Sequence, residues 1–356
     1  MKIALLNLPY DNNYGGNLQR YALMTVLQCM GHDVTHINLR IYNKLPWYKK
    51  PYSYTKRFIL KYILRKPNIK IDYEGHANKR KVLLEVKTDE FYNKYIRHTN
   101  PCYTIKDIVR ATKGRFDVYI VGSDQIWRKS MTGILGINNY FLEFTKKENV
   151  LRIAYAASLG GEKTDYSDKD LKKLSELYEK FDRVTVRELS AVTALEELGW
   201  IAPNIALDPT LLLNREDYGY LIDSGNTIDM TSGKLYCYVL DMNPTIDGII
   251  ATFCKNMNCG YIIDGIEDVK KPTSIEQWLR NIRDARFVIT DSYHGSVFSI
   301  IFQRPFKFCG NVRRGNSRVV SLFTLIGVED TNNPNWEIIE ENVKTLRGDS
   351  LKQLMI

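Results

Sequence analysis

Arg286-Phe-Val-Ile-Thr-Asp-Ser-Tyr-His-Gly-Ser-Val-Phe-Ser-Ile-Ile-Phe302 changes its hydrophobic period halfway along. Phe287 to Ile289 reads as a short buried strand, Thr290 to Tyr293 as a polar turn, and Gly295 to Phe302 as a helix start with an apolar face. A strand entering a helix through such a turn puts the turn at the carboxyl edge of a sheet, where open α/β folds bind ligands. His294 then falls at the helix N-terminus, among backbone N–H groups that favour an anion. It is one of five histidines, and it serves there either as a turn cap or as a proton-transfer group.

The same strand-to-helix grammar recurs on both sides. Lys2 to Leu8, Gly16 to Met30 and Val34 to Asn38 make a βαβ unit whose first link is Pro9-Tyr-Asp-Asn-Asn-Tyr-Gly-Gly16. That link is neither a dinucleotide fingerprint nor a P-loop. Further strands are expected at Phe116 to Val121, Leu151 to Ala157, Arg183 to Val186 and Asn204 to Leu207, each ending in small or polar residues. A polar, glycine-bearing stretch from Leu213 to Lys234 marks the expected break. The pattern restarts with strands at Leu235 to Leu240, Tyr261 to Asp264 and Phe306 to Cys309. The expected fold is therefore α/β, with two doubly wound Rossmann-like domains facing a cleft, residues 1–213 and 234–356.

The chain has 356 residues and a net charge of +9. Ten of its Lys and Arg lie between Arg40 and Lys70, where there is no acid, so the remainder is close to neutral. Tyr42, Trp47, Tyr48, Tyr52, Tyr54, Phe58 and Tyr62 share this insertion, and Thr55 to Lys66 reads as an amphipathic helix. Such a segment suits contact with an anionic bilayer surface, or it packs as a solvated insertion on its own domain. No nucleic-acid recognition module accompanies it. No signal peptide or membrane-spanning run is visible, and the six cysteines fit neither a zinc pattern nor a disulfide framework. A cytoplasmic protein, peripheral to the membrane at most, is expected.

Asn13-Tyr-Gly-Gly-Asn-Leu-Gln19, Val121-Gly-Ser-Asp-Gln-Ile-Trp127, Tyr155-Ala-Ala-Ser-Leu-Gly160, Val186-Arg-Glu188, Asp208-Pro-Thr-Leu-Leu212, Thr290-Asp-Ser-Tyr-His-Gly295 and Asn316-Ser-Arg318 occur in that order. Each is weak alone; as an ordered set the chain resembles the polysaccharide pyruvyl transferase family. The resemblance implies a GT-B-like fold. It also implies transfer of the enolpyruvyl unit of phosphoenolpyruvate onto two hydroxyls of a sugar, in a polysaccharide or a lipid-linked glycan precursor. The products would be a pyruvate ketal and phosphate. The Arg40 to Lys70 insertion lies outside this inference.

That chemistry assigns expectations to residues. Phosphoenolpyruvate carries a carboxylate and a phosphate, so Arg187, at a strand-to-helix junction, is expected to grip one of them in bidentate fashion, and Arg318 to hold the other. His294 is the candidate general acid, for the methylene carbon or for the departing phosphate. Asp124 and Asp291 are candidates for activating the acceptor hydroxyl, or else turn and cap residues. Asn13, Tyr14, Gly15 and Gly16 are expected to shape the acceptor side, with Ser123, Ser292 and Gly295 binding substrate from the surrounding loops. Asp208-Pro209-Thr210 reads as a turn start without chemistry, and Trp127 as a core residue or a sugar platform. The mechanism requires no metal and no cofactor beyond the donor substrate. The rivals are a nucleotide-sugar glycosyltransferase of the same fold, with Asp264 or Glu267 on the ribose, and a non-catalytic sugar- or anion-binding protein.

Overall fold

Two wholly parallel sheets carry the chain in a computed structural model that describes residues 1–264, 272–311 and 315–356. The first is built from β1 (Lys2–Leu6), β2 (Asp33–His36), β3 (Val118–Gly122), β4 (Leu151–Ala157), β5 (Arg183–Val186) and β6 (Asn204–Ile205). The second uses β7 (Leu235–Tyr238), β8 (Tyr261–Asp264), β9 (Phe287–Thr290) and β10 (Phe306–Phe308). Every residue of β3, β7 and β9 is buried. Parallel strands covered on both faces read as continuous apolar runs, which is why the sequence pattern located them.

The strand orders are β2-β1-β3-β4-β5-β6 and β10-β9-β7-β8. Each order reverses once, between β1 and β3 in the first sheet and between β7 and β9 in the second. At such a point the loops leave in opposite directions and open a crevice at the carboxyl edge. The loops from both reversals line one cleft: Asn13 and Gly15 after β1, Asp124 and Gln125 after β3, Leu240 after β7, and Asp291 to His294 after β9. The chain is thus α/β with two Rossmann-like domains in a GT-B-like arrangement.

Three expectations need correction. The stretch Leu213 to Lys234 is not a plain linker, because it contains the helix Arg215–Ser224, capped by Asn214. Tyr218, Leu221 and Ile222 of that helix are buried in the core that also holds Trp278. Its glycines and acids hid an apolar stripe. The helix expected over Thr55 to Lys66 instead runs Lys50–Phe58 and passes into a wider π-helical turn at Ile59–Ile63. Pro51 sits in its first turn, where the missing N–H costs nothing. Finally, the last helix, Trp336–Lys352, bonds to the first domain although it follows the second in sequence. Ser350 Oγ accepts from Leu207 N at 2.9 Å, and Arg347 donates to the carbonyls of Leu211 and Leu213.

A continuous apolar core joins the halves, running from Ile3, Leu18 and Tyr14 to Tyr238, Trp278 and Phe298. Tyr14 is its pivot. The ring packs 5.6 Å from that of Trp278 and 6.1 Å from that of Tyr238, and the hydroxyl donates to Thr273 O at 3.0 Å. Tyr14→Ala is expected to lower unfolding stability by about 3–5 kcal/mol, and Tyr14→Phe by about 1 kcal/mol for the lost hydrogen bond alone. Urea denaturation of the two variants tests this; equal, small effects would mean that the inter-domain packing contributes little.

Candidate active site

The cleft, of about 250 Å³, has a polar floor and a wall from each domain. The second domain supplies the helix Tyr293–Ile301, which starts two residues earlier than the sequence indicated, with Ser292 as its cap. Ser292 Oγ accepts from Gly295 N at 3.3 Å. His294 is the second helical residue and is 7% exposed. Its Nε2 has no hydrogen-bond partner among the described residues and lies 3.8 Å from Asp208 Oδ2. Burial, reinforced by Arg187 and Arg318, pushes its pKa down to about 4 despite the nearby Asp208 and Asp124. At neutral pH the imidazole is uncharged.

Gly15, on the first domain's helix Tyr14–Cys29, meets that ring across the cleft. A Cβ there would overlap the His294 imidazole, so only glycine allows the two domains this approach. Gly295 has a matching constraint within its own domain, because a Cβ would run into Thr290 Oγ1. Asn13 caps the helix by accepting from Gly16 N at 3.2 Å and also lines the cleft. Gly16 faces Asn13 and Arg20 instead. Tyr14 is turned into the inter-domain core, as described above, and does not line the cleft. Ser123 is fully buried, accepting from Gln19 and donating to Ala156 O, so it braces the β3 loop rather than meeting a ligand.

Arg187 departs from its expected role. Its side chain is 1% exposed and sits behind Asp124 and Tyr293. Nη1 donates to Asp208 Oδ2 at 2.8 Å, Nη2 donates to Asp124 Oδ1 at 3.1 Å, and Nε lies 3.6 Å from Glu188 Oε2. The Tyr293 ring covers the guanidinium at 4.8 Å. Both terminal nitrogens are thus engaged by protein carboxylates, and the arginine positions the site instead of projecting into the cleft. The strand-end position was read correctly; the direction of a long side chain was not legible from it.

The arginines that do line the cleft are Arg318 and Arg128. Arg318 reaches from the helix Ser317–Ile326, its Nη1 3.6 Å from Asp124 Oδ1 and its guanidinium 5.6 Å from the Tyr293 ring. Arg128 donates to Gln125 Oε1 at 2.8 Å. The sequence reading passed over Arg128, though it stands one residue beyond the quoted Val121 to Trp127 loop. Asp124 lies between Arg187 and Arg318. Burial alone would raise its pKa, but Arg187 and Arg318 outweigh it and hold the carboxyl below the usual range.

Asp208 does more than start a turn. It does cap the turn Pro209–Leu211, accepting through Oδ1 from Thr210 N and Oγ1. Its other oxygen takes Arg187 and, at 2.6 Å, Gln19 Nε2, and faces His294. Glu188 is equally buried and accepts from Ser158 Oγ at 2.7 Å and Leu159 N at 3.0 Å. Both look like ordinary loop acids in sequence. Asp291 instead locks its own loop: its oxygens accept from Leu240 N, Asp241 N and Asn311 Nδ2. Trp127 is fully buried, stacked 4.8 Å from Phe141 and donating to Tyr140 O, so it is core. Asp264 accepts from the Tyr236 hydroxyl, and Glu267 lies outside the described residues. Among the described residues no group of three or more His, Cys, Asp or Glu is placed to hold a metal.

Two Rossmann-like domains enclosing a charged cleft at their facing strand-order reversals define a two-domain, GT-B-like α/β protein with an inter-domain site. The chain belongs to the polysaccharide pyruvyl transferase family, whose profile matches residues 13–311. No curated protein matches it in sequence. Among solved structures it is similar to UDP-GlcNAc 2-epimerase from Methanocaldococcus jannaschii, at 13% identity and TM-score 0.47, covering 97% of this chain and 92% of that one. UDP-GlcNAc 2-epimerase from Neisseria meningitidis bound to UDP-GlcNAc is similar at 10% identity and TM-score 0.47, with 99% and 94% covered. Spinosyn rhamnosyltransferase SpnG follows at 9% identity and TM-score 0.39, again with 99% and 94% covered. At these levels no function is carried over from them.

The neutral His294 gives the folded state a pH signature. Its folded pKa of about 4 lies below the ordinary 6.5, so between these values the unfolded chain binds the proton and the folded one does not. The stability it contributes is complete above about pH 6.5 and is lost as pH falls toward 4, on the order of 2–3 kcal/mol. His294→Gln should flatten thermal stability over that window; an unchanged pH dependence would place the imidazole in a wetter setting than its burial indicates.

Proposed function

We propose that this protein transfers the enolpyruvyl unit of phosphoenolpyruvate to two hydroxyls of a sugar, closing a cyclic pyruvate ketal and releasing phosphate. Family membership supports the reaction class, and the juxtaposition of Arg318, Arg128 and a neutral buried His294 on one cleft carries the donor assignment. Arg318 and Arg128 take the phosphate and carboxylate, helped by the N–H groups that open the helix Tyr293–Ile301.

The charged cluster that includes the neighbours of His294 comprises Arg187 and Arg318 against Asp124, Glu188 and Asp208. These five alone sum to one negative charge. A donor bearing a phosphate and a carboxylate adds more, which raises the His294 pKa and favours its protonation as the donor binds. The donor thereby arms its own acid. Protonation of the methylene carbon makes the adjacent carbon electrophilic, and the first sugar hydroxyl adds there. Loss of phosphate then admits the second hydroxyl. Of the two hydroxyl protons, one is balanced by that delivered to the new methyl group and the other leaves on phosphate. Asp124, ionised and facing the cleft, accepts a hydrogen bond from the attacking hydroxyl. The acceptor belongs to a polysaccharide or a lipid-linked glycan precursor, and the reaction takes place on the cytoplasmic side.

Phosphoenolpyruvate at a hundred times its Kd should stabilise the protein by about 2.7 kcal/mol in thermal unfolding. Arg318→Ala should abolish this, while His294→Ala should keep binding and lower kcat at least about a hundredfold. Calorimetry near neutral pH in buffers of different ionisation enthalpy should show proton uptake on binding, with affinity falling as pH rises. Stabilisation by a nucleotide sugar and not by phosphoenolpyruvate would replace this reading with glycosyl transfer.

A further inference from the structure

The Arg40 to Lys70 insertion folds but does not bury itself. No residue of Trp47–Lys49, Lys50–Phe58 or Ile59–Ile63 is buried. Trp47 is 82% exposed, Tyr52 72% and Ile63 65%, and Tyr48, Tyr62 and Leu64 are also exposed. A soluble surface normally scatters large apolar side chains singly; here they follow one another along a single short helical arm. Tyr48, Tyr52, Ile59 and Ile63 recur at intervals that bring them onto one stripe.

The charge of the arm is equally one-sided. Arg40 points inward, donating to Asp89, and Arg57 is held by both oxygens of Glu74 at 2.6 and 2.7 Å. These two pairs fix the arm to the helix Tyr73–Tyr95, together with the reciprocal Asn43–Asn78 hydrogen bonds and Lys81 Nζ on Ile41 O. The other cations, among them Lys49, Lys50, Lys56 and Lys66, form no ion pair with any described residue, and all but the half-buried Lys61 are exposed. The arm is therefore anchored at its root and again through Arg57, and presents unpaired cations beside exposed aromatic and aliphatic side chains.

We propose that this arm docks the protein on an anionic lipid bilayer, its lysines on headgroup phosphates and Trp47, Tyr52 and Ile63 in the interfacial layer. Each half of the arm's chemistry argues for that occupant. The lysines complement a negative surface. A nucleic acid would satisfy them but has no use for Ile59, Ile63 and Leu64, while a second copy of the arm would bring the same unpaired cations against each other. Position agrees as well. The arm leaves from the carboxyl end of β2, continuing through the Tyr10–Arg40 bridge, at the same sheet edge as the cleft loops. Ile41, at its root, faces Gly133, two residues beyond Met131 of the cleft wall. Docking would thus hold the cleft near a membrane-borne acceptor. The proposal does not rest on the donor chemistry, and its test uses no substrate.

The test is co-sedimentation of the full chain with vesicles of phosphatidylcholine alone or with roughly 30% phosphatidylglycerol, at about 0.1 M salt. Partitioning should be at least about tenfold stronger on the anionic vesicles. It should fall about tenfold or more in Trp47→Ser/Tyr52→Ser/Ile63→Ser and in Lys49→Glu/Lys50→Glu/Lys56→Glu. All six positions are exposed, and an unchanged thermal unfolding curve would confirm that each variant is folded. Absence of binding by the folded wild type would overturn the proposal. So would binding that only the lysine variant weakens, which marks a general polyanion site. Self-association lost in the apolar variant, without vesicle binding, would overturn it in favour of a second copy.

Discussion

The buried pair between Arg187 and Asp208 is the constraint on which the site depends. Taking two charges out of water costs several kcal/mol each, and the cost is offset only by close partners of opposite charge. Here the partners come from separate strand ends: Asp124 after β3, Arg187 and Glu188 after β5, and Asp208 after β6. Satisfying one guanidinium therefore fixes the relative positions of three loops. The second domain completes the arrangement by laying the Tyr293 ring over Arg187 and bringing His294 to Asp208. One charge cluster organises the first domain's sheet edge and also latches the domains together.

The latch explains how a histidine can be kept neutral in a cleft with two nearby carboxylates. Carboxylates raise an imidazole pKa when they act alone, but Asp208 and Asp124 are already committed to arginines, so their fields are largely cancelled. Burial then decides the balance. Gly15 makes that burial possible, since any side chain there would push the ring away from the first domain. The proton-transfer group, its charge state and its enclosure are thus consequences of one packing solution.

Much of this was legible in the sequence, and the gaps have physical causes. Short runs rich in apolar and β-branched residues, closed by small or polar ones, mark the strands, so the bounds of β4, β5 and β8 were read directly. The strand-to-turn-to-helix pattern placed His294, Asp124 and Asn13 on one edge for the same reason. Arg187 was put at the right junction with the wrong outlook, because sequence gives the position of a Cα and not the path of a four-bond side chain. Asp208 and Glu188 were undervalued because a capping acid and an ion-pairing acid are the same residue type at the same spacing. The helix Arg215–Ser224 was lost because its three buried residues sit among charges and a glycine. The last helix returns to the first domain through contacts some 140 residues apart in sequence, such as Leu207 with Ser350, and no local pattern reports such a crossing.

That returning helix bears on how the cleft can move. Two domains joined by a simple linker hinge freely, but here the join consists of Tyr14 packed on Trp278, a core continuous between the sheets, and the Ser350 and Arg347 bonds to Leu207, Leu211 and Leu213. Wide opening would expose aromatic surface on one side and break buried hydrogen bonds on the other. Small shear of the β9 loop against Gly15 costs far less, since it moves one ring past a backbone with no side chain. The loops at the two strand-order reversals thus line the cleft that holds His294 and lie where the smallest rearrangement would change its width.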